Sequence, residues 1–597
     1  MNPTDFYLSQ ISLYHETLKK VKRQRNFITF LKLAAFAEII YFLILFLDRQ
    51  PVYNLYCSIG GIVLFIILNI IDSKIVLRKK RIETFIKHCL TEMAYLKGDL
   101  SGLCNGQQYE NPAHNYSTDL DIFGENSLFQ HINRTVTDHG SNILSEWLLN
   151  PCLHKDKIIE RQQTVTELAS RIKWCMDFRT TGSVFRTDHA NQEQLKKWQE
   201  EPAFFRFKGI RTLITIINAT GVILWILTII SLIDYHIPLF FSILQLGATV
   251  FYSRKINASH RKLEKLIKAL GNYVHSVTLI DRLDADTDGI KRIKSVLLNG
   301  ETSSLTAFAS LNKILNDFDQ RNNILAAIVM NALYMKDLHS VIKLDKWKNR
   351  YAPGITAWIK AIGETDALVS MACYRYNHPR YVFPKISETA LLRGEGIGHP
   401  LLPEDKTVTN DFQVENLHNL YIVTGANMAG KSTFLRTIGV NLVLALSGNA
   451  VCAETFEFQP MNLFSSMRTT DNLAKGTSYF HAELLRLQQL IKIASQSEKL
   501  FIILDEMLKG TNSRDKLNGS SKFLVKLLSF PVSGIIATHD LALGELAERY
   551  PSNFFNACFE ISHTQDDITY DYKLKEGVSK NMNASIMLRK MGLIDSE

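Results

Sequence analysis

The chain has 597 residues, of which 46% are hydrophobic and 10% aromatic, and its formal net charge is +9 at neutral pH. A chain of this length and composition folds into several domains with more than one core, so it is not a disordered protein. The modest positive charge is compatible with a polyanionic partner or an acidic membrane face but requires neither. Its eight cysteines are scattered without a CxxC pair, which argues against a zinc site and favours reduced thiols facing the cytoplasm.

Four apolar stretches stand out from the rest of the chain. They occupy residues 27–47, 55–71, 212–233 and 237–252. Each approaches the roughly 20 residues that a helix needs to cross a bilayer, although the last stretch is short. Short polar connections join them in pairs, and lysine and arginine residues crowd the open ends of both pairs. The pattern predicts two transmembrane hairpins, at residues 27–72 and 212–252.

The basic flanks also predict an orientation. By the positive-inside rule, both termini and the bulk of the chain lie in the cytoplasm, and the four helices lie in the inner (cytoplasmic) membrane. Residues 1–26 are polar and basic, so we expect a cytoplasmic N-terminus and no secretory signal. The alternative is that both pairs are buried core hairpins of a large helical domain. Lys32 and Glu38, inside the first stretch, favour that alternative, whereas the basic flanks favour the lipid bilayer.

The remaining chain divides by its periodicity. Residues 73–117 are predicted to form a helical connector and a polar loop. Residues 118–386 are helical in pattern, interrupted by the second hairpin. From residue 387 to 597, short β-branched runs alternate with helices, which predicts a largely parallel sheet with helices on both faces, ending in a strand pair and a small helical unit at about 575–597. The predicted fold class is therefore helical followed by α/β.

The segment TGANMAGKST contains the pattern GxxxxGK[ST], with Gly425, Gly430, Lys431 and Ser432 at the four defined positions. An apolar strand precedes it and a helix follows, so backbone amides and a helix N-terminus form a cradle for phosphate. Lys431 would contact the β- and γ-phosphates of ATP, and Ser432 would coordinate Mg²⁺. The predicted nucleotide-binding residues are Gly425, Ala426, Asn427, Met428, Ala429, Gly430, Lys431, Ser432 and Thr433.

Two further strands are predicted to complete this site. The apolar run 500–504 ends in Asp505 and Glu506, where Asp505 would hold Mg²⁺ and Glu506 would orient or deprotonate the attacking water. His539 follows a second apolar run, at the carboxyl end where such sheets bind ligands, and is predicted to sense the γ-phosphate. The predicted catalytic residues are Glu506, His539 and Lys431, and the predicted metal ligands are Ser432 and Asp505.

These segments together resemble the ATPase domain of the MutS family, the DNA mismatch-repair ATPases. Asn427-Met428 within the phosphate loop is more specific than the generic pattern, and the segments 476–483 and 510–513 also resemble family segments. The resemblance extends upstream to about Thr118, into the family's helical core and lever, and is interrupted near 190–275. It implies an ATP hydrolase that forms a homodimer with composite ATP sites, in which Ser478 reaches the partner's γ-phosphate. It also implies DNA as a partner and a C-terminal helix-turn-helix that supports dimerisation.

The sequence departs from the family in the parts that contact DNA. Only about 115 residues precede the core, where the family carries a mismatch-reading domain with a Phe-x-Glu wedge, and a predicted hairpin uses much of them. Phe123-Gly124-Glu125 fits the wedge pattern only by chance, because it lies within the opening segment of the core. The predicted function is a membrane-anchored MutS-type ATPase that binds DNA in repair. A membrane scaffold with an ATP-switched dimer is the alternative, and an ABC transporter is disfavoured because the LSGGQ signature is absent.

Overall fold

The computed structural model describes residues 2–48, 51–185, 197–198, 200, 202, 204, 208–299, 303–319, 324–426, 428–468, 479–508, 512–564 and 567–579. These residues form two compact units. The first unit comprises residues 1–93, 135–141 and 173–366, and the second comprises 94–134, 142–172 and 367–597.

The first unit is helical. Its helices are α1 (Pro3–Leu47), α2 (Tyr53–Leu96, to residue 93), part of α4 (Asp138–Leu149), α6 (Ile172–Val184), α7 (Lys208–Ile229), α8 (His236–Asp281), α9 (Asp288–Leu298), α10 (Ser304–Asp319), α11 (Ile324–Tyr334) and α12 (Lys336–Asn377, to residue 366). The predicted N-terminal segment 1–26 is not separate from the first apolar stretch, because α1 begins at Pro3 and continues without interruption to Leu47. The Asn2 side chain accepts a hydrogen bond from the Thr4 amide at its N-terminus.

Outside the apolar stretches, α1 and α2 pack side by side. The Tyr14 and Phe85 rings stack with their centroids 4.3 Å apart. Four buried aliphatic residues form a small core between the two helices: Leu18, Val21, Ile82 and Ile86. Within the first apolar stretch, the Lys32 ammonium lies 2.6 Å from the carboxylate of Asp72, which directly follows the second stretch. That ion pair fixes the register of the two helices and pairs the charge of Lys32 with a residue of the opposite helix.

The apolar stretches lie on the outside of this unit. In the part of the chain that the structure describes, three helices are long and apolar enough to cross a membrane: α1, α2 and Thr212–Ile229 of α7. The segment His236–Tyr252 of α8 is apolar but shorter. Only 6%, 22% and 17% of the residues in the three spans are buried. They are therefore not core helices of the described structure. Between α7 and α8, the Trp225 indole donates to the Ser242 hydroxyl over 3.0 Å, and the Gln245 amide donates to the Ile217 carbonyl over 3.1 Å.

The second unit combines short helices with two sheets. Its helices are α3 (Leu128–Ile132), the rest of α4, α5 (Lys155–Ser170), α13 (Lys431–Ser447), α14 (Tyr479–Ala494), α15 (Ser513–Leu527) and α16 (Leu546–Arg549). Phe123 lies in this unit and is buried, with its ring centroid 5.4 Å from that of Phe129 and 5.7 Å from that of Tyr109. A buried ring in an aromatic cluster is not available as a wedge, in agreement with the sequence interpretation.

The larger sheet carries the parallel strands that the sequence predicts. Its strands are β4 (Leu420–Gly425), β6 (Asn462–Ser466), β7 (Leu500–Asp505), β8 (Val532–Ala537), β9 (Phe554–Thr564) and β10 (Asp567–Glu576). Their order is β10-β9-β4-β8-β7-β6, and all neighbours are parallel except β9 and β10. The strand pair expected near the C-terminus is thus the antiparallel edge of this sheet. Residues 580–597, with the helix-turn-helix expectation, lie outside the described residues.

A second, four-stranded sheet combines three strands from before the phosphate loop with one from after it. Its strands are β1 (Lys385–Ile386), β2 (Leu392–Ile397), β3 (Asn410–Val414) and β5 (Thr455–Phe458), in the order β1-β5-β2-β3. The sequence pattern did not separate this mixed sheet from the parallel one, because its pairing of β5 with β1 and β2 spans some sixty residues or more of chain. The overall class, helical with α/β, is as predicted.

Candidate functional site

The carboxyl ends of three parallel strands bring the predicted site residues together. β8 lies between β4 and β7 in the larger sheet. β4 leads to the loop before α13, β7 ends at Asp505, and His539 follows β8 by two residues. Because parallel strands end at the same edge of a sheet, the three predicted motifs meet at one place.

The loop between β4 and α13 depends on two glycines. Gly425 has φ +148°, and a Cβ there would lie 2.6 Å from the Phe559 carbonyl oxygen. Gly430 has φ +106° and is the N-cap of α13, which begins at Lys431. Both positions require a residue without a side chain. The resulting loop turns the N-terminus of a 17-residue helix toward the sheet edge, where its free amides favour an anion.

Lys431 is held under this loop. Its side chain is only 5% exposed, and the ammonium donates to the carbonyl oxygens of Gly425 and Ala426 over 2.6 and 2.9 Å. Burial lowers the pKa of Lys431 to about 8, while the carboxylates of Asp505 and Glu506 act in the opposite direction. The charge is therefore poorly solvated before a ligand arrives, and an anionic phosphate would stabilise it.

Ser432 and Asp505 form an oxygen pair next to Lys431. The Ser432 hydroxyl donates to the Asp505 carboxylate over 2.6 Å. Among the described residues no group of three or more His, Cys, Asp or Glu side chains could hold a metal ion. A hydroxyl with one carboxylate nevertheless fits Mg²⁺, because this ion keeps several waters and usually takes one or two protein oxygens together with substrate phosphates.

Glu506 occupies a strained position just beyond β7. Its φ is +57°, a conformation that side chains other than glycine rarely adopt. Its amide donates to the Ala537 carbonyl over 2.9 Å, and the Lys516 ammonium lies 2.9 Å from Oε1. The other carboxylate oxygen lies 3.9 Å from Nε2 of His539. Surrounding contacts thus hold the carboxylate in a backbone conformation that is costly on its own, a feature that clusters at functional sites.

His539 faces both the loop and Glu506. Its Nδ1 lies 3.1 Å from the Gly425 carbonyl oxygen and 3.3 Å from the Lys431 ammonium. Burial lowers the pKa of His539, and the charge of Lys431 lowers it further. The imidazole is therefore neutral near pH 7 and can act as a hydrogen-bonding group rather than as a fixed cation.

These side chains line one cavity of about 620 Å³. Its lining also contains a residue that the sequence did not reveal, Tyr572 of β10, whose ring lies beside Gly430. Tyr572 has φ +51° and interrupts the register between Tyr570 and Leu574. The Asn410 side chain anchors this irregular strand by donating to the Tyr572 carbonyl and accepting from the Leu574 amide, over 3.0 and 2.8 Å. Only the pairing of distant strands brings Tyr572 here, so no local pattern could have identified it.

The sequence analysis did not predict two other contacts near Glu506. Lys516, on α15, pairs with Glu506 although nothing in its own neighbourhood marks it. Glu483, on α14, is 4% exposed and accepts a hydrogen bond from the Leu508 amide over 2.6 Å, which links α14 to the chain just after Glu506. Glu483 belongs to the segment 476–483 that resembles the family, which was the available signal. Asn427 and Ser478 lie outside the described residues.

Comparison with known proteins identifies the family. The sequence model of MutS domain III matches residues 113–372, and that of MutS domain V matches residues 421–593. The chain belongs to the MutS family. The domain V match contains the whole cavity edge built from β4, β7 and β8. The domain III match begins at residue 113, a few residues before Thr118, where the resemblance was expected to begin.

Individual MutS relatives align with part of this chain. MutS protein homolog 4 of Homo sapiens is 30% identical over 213 residues, 34% of this chain and 22% of the relative. The DNA mismatch repair protein MutS of Aquifex pyrophilus is 33% identical over 224 residues, 37% of this chain and 26% of the relative. The MutS protein of Chlorobium phaeovibrioides is 28% identical over 321 residues, 52% of this chain and 35% of the relative. The chain thus spans between about a fifth and a third of the length of these MutS proteins.

Proposed function

We propose that this MutS-family chain is a membrane-anchored ATPase that binds DNA and couples ATP binding and hydrolysis to changes in a dimer. The observation that carries the ATPase part is the convergence of Lys431, the Ser432–Asp505 pair, Glu506 and His539 at one edge of the sheet. The cavity beside them is large enough for a nucleotide, within the usual range for ligand sites of about 300–1,000 Å³.

In this proposal each side chain has a separate task. The amides at the start of α13 and the Lys431 ammonium bind the β- and γ-phosphates, with Lys431 exchanging its two backbone carbonyl partners for phosphate oxygens. Ser432 and Asp505 would hold Mg²⁺, which supplies charge neutralisation on the transferred phosphoryl group. Tyr572, which lines the same cavity beside Gly430, contacts the bound nucleotide through its ring.

Hydrolysis requires a base at the γ-phosphate. Glu506 accepts the proton of the attacking water through the carboxylate oxygen that does not contact Lys516. Neutral His539, between Glu506 and the loop, donates a hydrogen bond to the γ-phosphate or to the water and so reports whether the γ-phosphate is present. The strained backbone at Glu506 and its pair with Lys516 fix the carboxylate before substrate arrives, so little reorganisation is needed at the reaction step.

The dimer and the DNA are inferred from family membership. Relatives described as DNA mismatch repair proteins match 37% and 52% of this chain, and the two MutS domain models match its helical and its ATPase regions. Ser478 is proposed to reach the γ-phosphate of a partner subunit, which makes each ATP site composite. We propose weak discrimination of mismatches, because the segment with the Phe-x-Glu pattern carries a buried Phe123. Phosphate contacts, which ignore sequence, would then dominate DNA binding.

The membrane anchor is inferred from the low burial of the apolar spans and from their basic flanks. We propose four membrane-spanning helices in the cytoplasmic membrane, with His236–Tyr252 of α8 as the fourth and shortest, and with both termini in the cytoplasm. The large exposed side chains of α7 within its span are aliphatic and are interspersed with exposed threonines, with no exposed charged residue among them, which fits contact with acyl chains.

One experiment tests the three parts together. The purified full-length protein in nanodiscs is assayed for ATP hydrolysis and for binding to perfectly paired, mismatched and branched duplexes at about 50 and 200 mM salt. We expect magnesium-dependent hydrolysis, DNA affinity that falls steeply with salt, and a mismatch preference below about tenfold. Hydrolysis without DNA binding at low salt would support the scaffold alternative, which the basic residues next to the apolar stretches also allow, since lipid headgroups can attract them.

A further inference from the structure

A short apolar helix beside the second hairpin has no assigned role. Helix α11 (Ile324–Tyr334, sequence ILAAIVMNALY) packs against both α7 and α8. Nearly the whole of α7 is its candidate membrane span, Thr212–Ile229, so α11 contacts a helix that is itself proposed to lie in the bilayer.

The outward face of α11 is apolar and exposed. Five of its large hydrophobic residues are between 38% and 53% exposed: Ile328, Val329, Met330, Leu333 and Tyr334. Their consecutive and near-consecutive positions make a continuous patch over almost two turns of the helix. A patch of this kind on a water-facing helix is costly, because soluble proteins rarely leave contiguous large apolar side chains in water.

The polar side chain of Asn331 in α11 is buried and hydrogen-bonded. Asn331 is only 7% exposed; its amide donates to the Asp337 carboxylate over 3.0 Å and its carbonyl accepts from the Asp337 amide over 2.9 Å. Met335, between the two helices, has φ +45° and is buried. These contacts fix a tight corner between α11 and α12, so the apolar face of α11 is presented in a defined orientation.

The groups that follow this corner match a membrane surface. The Tyr334 ring, at the end of α11, stacks on His339 with their centroids 4.9 Å apart. Lys343 and Lys346 lie further along α12, are exposed, and lower the pKa of His339 together with burial. An aromatic residue at the end of an apolar face, followed by lysines, is the arrangement found where a helix meets acyl chains and then anionic headgroups.

We propose that α11 is a fifth lipid-contacting element, which lies at the cytoplasmic face of the bilayer with its exposed apolar side against acyl chains. At 1.5 Å per residue its 11 residues span about 16 Å, about half the hydrocarbon thickness, so it enters the membrane surface without crossing it. The occupant of this face is lipid rather than a protein partner, because α11 packs directly against α7, which is itself proposed to span the membrane. This inference rests on the proposed membrane anchoring of the second hairpin.

Spin labels at single cysteines test the inference in the full-length protein, reconstituted in liposomes after the native cysteines have been replaced. Val329→Cys reports on the exposed face of α11, Val222→Cys on the exposed side of α7 within its span, and Lys313→Cys on an exposed position of α10. The accessibility of each label to oxygen, which concentrates in lipid, is compared with its accessibility to a water-soluble nickel chelate. These exposed positions tolerate a cysteine without disturbing the core.

We expect the Val329 and Val222 labels to favour oxygen and the Lys313 label to favour the chelate. If Val222 favours oxygen but Val329 favours the chelate, α11 lies in water and the inference is wrong while the anchoring stands. If Val222 also favours the chelate, the anchoring itself fails. Spin–spin broadening between Val329 labels on two copies would overturn the inference in another way, because a second copy of the chain would then cover the face.

Discussion

The proton on Lys431 gives a sharp test of the proposed phosphate site. Burial lowers the pKa of this lysine from 10.5 to about 8 in the ligand-free protein. Bound phosphates bring negative charge to the ammonium and return its pKa to at least the ordinary value. Nucleotide binding therefore takes up a proton when the pH exceeds about 8, and affinity must fall as the pH rises.

The magnitude follows from these two values. At pH 7 nearly all of the free protein carries a charged Lys431, whereas at pH 9 only about one molecule in ten does, given the pKa of about 8. The dissociation constant of a slowly hydrolysed ATP analogue should thus rise about tenfold between pH 7 and pH 9, equivalent to about 1.4 kcal/mol of binding free energy. His539 does not contribute in this window, because its pKa is lowered and it is neutral throughout.

Fluorescence titration with a labelled ATP analogue and excess Mg²⁺ measures this dependence at intervals from pH 7 to 9.5. Lys431→Met is the matched control, since it has a side chain of similar length without a titrating group. It should bind more weakly at every pH and show no slope. The reasoning is refuted if the wild-type affinity is flat across this range, or if the Met variant retains the slope and so traces it to another group.

Four further outcomes are expected. Glu506→Gln should bind ATP normally but hydrolyse it at least 100-fold more slowly in a phosphate-release assay, because an amide cannot take the proton of water; wild-type turnover would contradict its role. Lys516→Ala should lower kcat about tenfold with little change in the KM for ATP, since a hydrogen bond to a charged group contributes about 1.5–3 kcal/mol. Lys516→Arg should recover most of the loss. Unchanged kcat in the Ala variant would show that the Lys516–Glu506 ion pair does not contribute to catalysis. Mixing Lys431→Ala with Ser478→Ala subunits should recover activity that neither has alone, and no recovery would argue against composite sites. A cysteine at His236, in a cysteine-free background, should react with an impermeant thiol reagent in intact cells, whereas labelling only after lysis would reverse the proposed topology.

The parts of the site that could be predicted from sequence are those whose signal is local. Gly425 and Gly430 are required by backbone conformation, and Asp505 follows a run of apolar residues, so each motif is visible without knowing its neighbours. Their meeting at one edge follows from parallel strands alone. Lys516 and Tyr572 carry no such signal, because tertiary contact alone makes them part of the site.

In the fold, too, the features with a local sequence signal were predicted and those that depend on long-range contacts were not. The helix starting at Lys431 and the buried strands around it were predicted from periodicity, and the antiparallel pair of β9 and β10 from two consecutive β-branched and aromatic runs. The four-stranded sheet was not separated, since β1 has only two residues and pairs with a strand about seventy residues away. The continuity of α1 was also missed, because the change from a basic to an apolar sequence suggests a boundary that the backbone does not have.

That continuity sets a length scale for the whole protein. The apolar residues 27–47 of α1 match the roughly 20 residues that cross the hydrocarbon, which leaves residues 3–26, 24 of the 45 residues of the helix, beyond it. At 1.5 Å per residue this part is about 36 Å long, and the Tyr14–Phe85 stack braces it against α2 along the way. Because α1 is one uninterrupted helix, the length of the part beyond the apolar stretch is fixed. If the first hairpin spans the bilayer and the protein binds DNA, as proposed, DNA would be met only close to the membrane. The approach of the DNA to the bilayer, rather than free diffusion of the protein, would then govern how often the two encounter each other.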